Sequence, residues 1–143
     1  MAIRDPRNLQ CWQLADGIRR DVIAICAKKQ VASDFRFCDG FRDAAGSVCR
    51  NIAEGFRRYE SAEIVQFFRY ALASLGEVQD YLAECVPRGA LADSEHEQLF
   101  DRCEHTRATS LNFIKPHVLK IEAARASRRR SSTKRRSRTT RST

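Results

Sequence analysis

The sequence predicts an all-α protein: an antiparallel up-down-up-down four-helix bundle followed by a disordered basic tail. Residues that break helices are scarce, with only six Gly and three Pro among 143 residues, so long helices are allowed. Four segments place apolar residues three and four positions apart, which is the period of an amphipathic helix. No segment competes with the alternating pattern of a strand, and the connectors are mostly short, which favours a bundle.

The first two helices are predicted on either side of a polar connector over residues 30–35. The first runs over residues 8–29, with Asn8 as the expected N-cap and Trp12 in its apolar stripe. The second contains three Gly and ends close to Gly55. Each Gly costs about 1 kcal/mol relative to Ala in a helix, so tertiary packing must compensate.

The third and fourth helices carry clearer end signals. The third is predicted to begin after Ser61 as N-cap and to stop at Pro87. The fourth opens with the capping-box pattern Ser94-x-x-Glu97, in which each side chain bonds the other residue's backbone N–H. Pro116 lacks an N–H, so it is expected to kink this helix or to end its regular part there.

Charge divides the chain into two predicted units, a bundle over residues 1–123 and a tail over residues 124–143. The net charge is +8, but the tail holds nine of the 26 basic residues and none of the 18 acidic ones. The bundle therefore carries 17 basic and 18 acidic side chains. Like charges at this density repel, so the tail is predicted to be disordered. Its cations are Arg125, Arg128, Arg129, Arg130, Lys134, Arg135, Arg136, Arg138 and Arg141.

Composition also indicates the compartment. No apolar run is long enough to cross a membrane, and no apolar segment follows the first charged residues as in a secretory signal. The expected location is cytoplasmic, without membrane association. The six cysteines form no C-x-x-C pair, so we interpret them as reduced residues that fill the core. They are Cys11, Cys26, Cys38, Cys49, Cys85 and Cys103.

Three segments of the sequence are similar to one known family. Residues 47–56 read S-V-C-R-N-I-A-E-G-F and resemble the S-I-P-x-N-I-A-E-G-F signature of the four helix bundle family, also called the 23S rRNA intervening-sequence protein family. Residues 67–77 are similar to its F-L-x-x-A-L-G-S-L-A-E segment, and Leu9-x-x-Trp12 resembles its L-x-V-W opening. The similarity covers about residues 9–121. Cys49 and Arg50 replace the proline step of the signature, so a kink there is not expected.

The resemblance implies properties beyond the fold. Relatives form rings of five bundles, which implies a homo-oligomer and specifically a pentamer with a heterologous interface. More distant relatives, the accessory proteins of diversity-generating retroelements, are basic and bind reverse transcriptase and nucleic acid. The family has no established enzymatic activity. Its motif residues are assigned structural roles here, and they are Trp12, Ser47, Asn51, Glu54, Gly55, Ser74 and Glu77.

The residues themselves offer little catalytic chemistry, and we predict no catalytic residue and no cofactor. Glu54 is the strongest candidate for a general base or ligand. We interpret it instead as a structural acid that caps a helix or pairs with Arg57 or Arg58. A hydrogen-bonded cluster that sets the register between the second and third helices is expected from Ser47, Asn51, Ser74 and Glu77.

A metal site is not predicted either. A di-iron bundle requires Glu-x-x-His motifs, and none precedes His96, His105 or His117. Asp101 and His105 are four residues apart, with Glu97 one turn earlier, a spacing that can bind Zn²⁺ or Ni²⁺. Charged residues at this spacing more often form a solvated helix face, which is our interpretation.

The basic tail is the strongest functional signal. Each cation can neutralise a phosphate, which gives salt-sensitive and sequence-independent binding to RNA or DNA. Arginine favours bidentate phosphate contacts, and the absence of aromatic residues removes base stacking. The alternative is a tail that only aids solubility. In the bundle, Arg50, Arg57, Arg58 and Arg69 would form a basic belt if a ring repeated them, although singly each is an ordinary solvated arginine.

The sequence therefore predicts a non-enzymatic oligomeric module that binds nucleic acid. The alternative function is a protein–protein scaffold that docks onto a partner enzyme, such as a reverse transcriptase, without nucleic-acid specificity of its own.

Overall fold

The computed structural model describes residues 2–140, which form four α-helices and no strand. The elements are a 3₁₀ turn Pro6–Asn8, α1 Gln10–Cys26, α2 Phe35–Phe56, α3 Ser61–Cys85 and α4 Asp93–Thr139. Helix α1 packs against α2 and α4, and α3 packs against the same two helices. This is the cyclic order of an antiparallel bundle joined by short connectors, and the predicted all-α four-helix fold is confirmed.

The core consists of the four apolar stripes, which face one another along the bundle. Phe41, Ile52, Phe68 and Leu82 have no exposed surface. All six cysteines are free and buried, as predicted. Burial raises the pKa of the Cys103 thiol to about 12, because a low-dielectric interior disfavours the thiolate. Cys103 therefore acts as a small apolar residue and not as a nucleophile.

Two glycines allow α2 and α3 to approach closely. A Cβ placed on Gly55 would lie 2.8 Å from Cδ2 of Phe68, which is too close for carbon atoms. A Cβ on Gly40, near the other end of α2, would overlap the hydroxyl of Tyr81. The Tyr81 ring also stacks on Phe41 with 5.2 Å between the ring centroids. The missing side chains therefore let aromatic rings of α3 fill the space against the α2 backbone.

The predicted N-caps of α1 and α3 are wrong. Asn8 ends the 3₁₀ turn, and Leu9 occupies the N-cap position of α1 without a side-chain hydrogen bond. Ser61 is already the first residue of α3. Its hydroxyl hydrogen-bonds Nδ1 of His117 at 3.0 Å. The hydroxyl that the sequence pattern assigned to a local cap thus bonds a tertiary partner on α4.

Helix α4 begins two residues earlier than expected. The carboxylate of Glu95 accepts a hydrogen bond from the backbone N–H of Ala92 at 3.0 Å, which fixes the start at Asp93. The predicted capping box at Ser94 and Glu97 is therefore wrong in position. Glu95 supplies the same back-bonding geometry three residues after the N-cap.

The structure also corrects one of the two alternatives for Pro116, the end of the helix, and the expectation for the tail. Helix α4 does not end at Pro116, and it continues through Ala123 to Thr139 without interruption. Residues 124–139 are thus helical and not disordered. They contain no Gly or Pro and are rich in Arg, which favours helix. Because they extend an existing helix, they also avoid the cost of nucleation that a separate segment would meet.

We predict opposite stability effects for two matched glycine substitutions. Gly55→Ala should destabilise the fold by about 1–3 kcal/mol, because the new methyl group overlaps Phe68. Gly76→Ala on α3 should stabilise it by about 0.5–1 kcal/mol, since nothing lies within 4 Å of the added Cβ. Urea denaturation followed by circular dichroism measures both. An equal gain in both variants would contradict the close packing at Gly55.

Candidate nucleic-acid interface

Cationic groups concentrate at one end of the bundle. The antiparallel order places the start of α1, the end of α2, the start of α3 and the middle of α4 together there, and the bond between Ser61 and His117 joins the last two of these. The 3₁₀ turn packs against both α1 and α2 at this end. Helix α4 continues beyond it. We call residues 124–139 of α4 the arm, and the end from which it projects the arm end.

The arm is an exposed helix with cations on every side. Val118, Ile121 and Arg125 still line a small cavity shared with the first turns of α3. Every residue from 122 to 140 is exposed. At 100° per residue, Arg130, Lys134 and Arg138 lie on the side opposite Arg125. The predicted cations that lie on the arm are Arg125, Arg128, Arg129, Arg130, Lys134, Arg135, Arg136 and Arg138, and Arg141 lies outside the described residues.

Electrostatic repulsion acts along the arm. Arg125 and Arg129, Arg130 and Lys134, and Lys134 and Arg138 are i,i+4 neighbours. Each like-charge pair destabilises a helix by about 0.2–0.5 kcal/mol. The arm itself has no acidic residue to offset this repulsion. A phosphate chain laid along the helix would remove it, so the arm is chemically suited to a polyanion.

A second basic feature at the arm end is an open groove between the 3₁₀ turn and α2. It encloses about 540 Å³, and its lining includes Arg4, Arg7, Arg50, Arg57 and the indole of Trp12. We call it the Trp12 groove. The two α2 arginines are seven residues apart and so share one face of that helix.

The guanidinium groups of the Trp12 groove are only partly neutralised. Asp5 binds Arg7, with 2.6 Å between the carboxylate and Nη2. Hydrogen bonds from Arg7, together with the nearby charge of Arg57, lower the pKa of Asp5 to about 2. Arg50 pairs with Asp43 at 3.1 Å on the exposed side of α2. Within residues 2–140, neither Arg4 nor Arg57 forms an ion pair, so the groove keeps an excess of positive charge.

The four predicted bundle arginines do not form one surface. Arg50 and Arg57 share the Trp12 groove. Arg58 turns toward Glu54, with 2.6 Å between Nη2 and Oε1, and lies over the Phe67 ring at 4.8 Å. Arg69 lines the cavity beside the base of the arm. Glu54 is thus held by one of the two arginines that the sequence suggested as its partner.

The predicted polar cluster is present in part. The hydroxyls of Ser47 and Ser74 lie 2.8 Å apart across α2 and α3, and the amide of Asn51 donates to the Ser47 hydroxyl at 3.0 Å. Glu77 is exposed and, in the described part of the chain, makes no hydrogen bond to this cluster. The three bonded side chains link the two helices that pack most closely.

The histidines lie apart from one another along α4. His96 stacks loosely on Phe100, and His117 bonds Ser61. Glu97, Asp101 and His105 are exposed. Among residues 2–140, no three His, Cys, Asp or Glu side chains are grouped closely enough to hold a metal ion.

Sequence reasoning missed the Trp12 groove. It singled out Trp12, Arg50 and Arg57 separately, and it gave Arg4 and Arg7 no role. One signal was available, since Arg50, Ala53 and Arg57 at i, i+3 and i+7 place two cations around a small residue on one helix face. The 3₁₀ turn that completes the groove comes from a distant segment, and no local pattern connects it to α2.

The fold and this cationic end define a four-helix bundle with a projecting basic helix. The chain belongs to the 23S rRNA-intervening sequence protein family, which it matches over residues 7–111. The resemblance noted in the sequence is thereby confirmed, and the arm lies outside the matched region. No curated protein and no solved structure matches the chain. None of the helices described here has the length and apolarity required to cross a bilayer.

We predict that added salt stabilises the arm helix. Salt screens the like-charge pairs of the arm, so its amides should exchange with solvent more slowly at about 0.5 M salt than at about 0.02 M. Hydrogen exchange measured by mass spectrometry at constant pH tests this. Peptides from α3 serve as the internal control and should change little. Faster arm exchange at high salt would contradict repulsion as the dominant force there.

Proposed function

We propose that the protein is a non-enzymatic module that binds the phosphate backbone of RNA through the arm. The observation that carries the proposal is the arm itself, a fully exposed helix with eight cations and no acid among residues 124–139. Each cation that neutralises a phosphate releases condensed counterions, and this release drives binding. Seven of the eight are arginines, whose planar fork suits bidentate contact with phosphate oxygens.

The way in which the arm contacts nucleic acid follows from the same residues. Cations on all sides of the arm leave no distinct face for base edges, so the contacts are to the backbone and carry no sequence information. The family description refers to 23S rRNA, which favours RNA over DNA as the polymer.

A binding role also fits the chemistry of the bundle. Burial raises the pKa of the Cys26, Cys49, Cys85 and Cys103 thiols, which keeps them protonated. The Glu54 carboxylate is ion-paired with Arg58. The described residues thus support charge-based recognition better than acid–base or nucleophilic catalysis.

We predict that arm cations set both RNA affinity and its salt dependence. In the full chain, replacing Arg128, Arg129 and Arg130 with Gln should weaken binding to a generic 20-nucleotide RNA. The log–log salt slope should become shallower by about 2, since each lost contact to a single strand contributes roughly 0.7. Fluorescence anisotropy between 50 and 300 mM salt measures both quantities.

The matched control keeps the positive charges and changes only the shape of the charged groups. Arg→Lys at the same three positions should preserve the salt slope, with a smaller loss of affinity from the missing bidentate contacts. An unchanged slope in the Gln variant, or no RNA binding by the parent chain at low salt, would exclude the arm as the RNA site. Docking onto a partner protein would then be the remaining role for the bundle.

We further propose that the protein assembles as a homopentamer, as the family resemblance implies. A ring would display five arms on one assembly. Several arms on one RNA would raise the apparent affinity by effective concentration, without new contacts.

We predict a solution mass five times the 16.4 kDa of one chain. Size-exclusion chromatography with multi-angle light scattering at micromolar concentration measures it, at moderate salt so that repulsion between arms is screened. The Gln variant of the arm controls for assembly driven by arm contacts and should give the same mass. A single-chain mass under these conditions would refute the ring.

A further inference from the structure

We propose that the Trp12 groove is a second RNA site, which holds one nucleotide of a single strand with its phosphate on arginine and its base against Trp12. This inference rests on RNA as the ligand of the proposed function. It extends that function by assigning a site, on the bundle itself, for an unpaired nucleotide.

The phosphate half of the site is formed by α2 and the residues before the 3₁₀ turn. Arg57 lies at the C-cap of α2 and forms no ion pair within the described chain, so its donors are available to a ligand. Arg50 lies two turns earlier on the same face, with only the methyl group of Ala53 between them on the groove wall. The Arg50 guanidinium is paired with Asp43, so Arg57 is the group that contacts the phosphate and Arg50 adds positive charge to the groove wall.

The base half of the site is the indole of Trp12. This side chain is half-buried and packs against the core, so its orientation is fixed before a ligand arrives. Its exposed part lines the groove together with Pro6 and Cys49, which add apolar surface. A base that stacks on an aromatic side chain gains affinity in a way that a simple anion does not. The combination of an aromatic surface and guanidinium groups suits a nucleotide better than an acidic peptide.

Asp5 limits the affinity of the groove for anions. Its carboxylate is ionised at neutral pH, and the hydrogen bonds from Arg7 and the charge of Arg57 lower its pKa further, to about 2. It therefore competes with a phosphate for the same guanidinium groups. Asp5 also caps the 3₁₀ turn by accepting from the backbone N–H of Arg7 at 2.9 Å. An asparagine can keep that cap while removing the charge.

The position of the groove supports this assignment. The Trp12 groove and the arm both belong to the arm end, so one RNA strand can reach both without crossing the bundle. The groove lies largely within the part of the chain that matches the family, whereas the arm lies beyond it. The two sites are therefore separable by mutation and by the length of the RNA probe.

Trp12 provides a direct readout, because it is the only tryptophan in the chain. We predict that a 5′-phosphorylated uridine dinucleotide, added to the full-length protein, quenches Trp12 emission in a saturable way. Arg57→Ala should weaken this binding at least about fivefold, from the loss of a charged hydrogen bond. Arg36→Ala, an exposed arginine at the opposite end of α2, is the matched control and should leave it unchanged.

Asp5→Asn gives a test in the opposite direction. Removing the competing carboxylate should tighten dinucleotide binding by about threefold. Thermal melts of all three variants exclude unfolding as the cause of any change. Loss of binding in Arg57→Ala together with a gain in Asp5→Asn supports the site, because general destabilisation would not produce changes of opposite sign.

Other outcomes would overturn the assignment. Absence of dinucleotide quenching, or equal quenching by inorganic phosphate alone, would reduce the groove to an anion site or to no site. Tighter binding of a short glutamate peptide would assign it to an acidic protein partner. The proposed function fails on a different result. In that case, the arm substitutions leave the affinity for a long RNA unchanged. Dinucleotide quenching with no arm effect would leave the groove as the only RNA contact.

Discussion

The close approach of α2 and α3 at Gly55 is the constraint on which the rest of the molecule depends. The Phe68 ring lies where a side chain of residue 55 would be, and this contact aligns the end of α2 with the start of α3. The short connector after α2 then places the first residue of α3 beside the end of α2, where Ser61 hydrogen-bonds His117 on α4. The same alignment leaves Arg57 beside the 3₁₀ turn. One missing Cβ thus determines where the cationic groups of the bundle meet.

The position of the charged residues in this protein matters more than its net charge. Along the bundle, acids and arginines largely neutralise one another, as in the pairs of Arg88 with Asp34 and of Arg42 with Asp39 near the opposite end. Such exposed pairs contribute little stability individually. Their effect is that the bundle carries almost no net charge, whereas the arm adds eight cations and no acid at one end. A polyanion is therefore steered to one end of the molecule.

Apolar periodicity predicted the four helices because each one buries a single stripe of apolar residues. Such a stripe requires apolar residues three and four positions apart, and this spacing is visible in the sequence. The N-caps failed for a physical reason, since a hydroxyl such as that of Ser61 bonds whichever partner the tertiary structure brings within reach. The tail was predicted to be disordered from repulsion alone, which ignored that it extends an existing helix. The Trp12 groove could not be predicted locally, because Arg7 and Arg57 are fifty residues apart in the chain.

The helical form of the arm changes what its cations can do. A disordered tail would lose about 1–2 kcal/mol of backbone entropy for each residue ordered on RNA, whereas a preformed helix avoids most of that cost. It also fixes the cations along a rod of roughly 20 Å between Arg125 and Arg138. A rigid rod cannot close around a strand, so a flexible strand has to wind around the arm to reach cations on its different sides. Affinity for a single strand then benefits from a second contact at the same end of the bundle, and the Trp12 groove has the aromatic surface that the arm lacks.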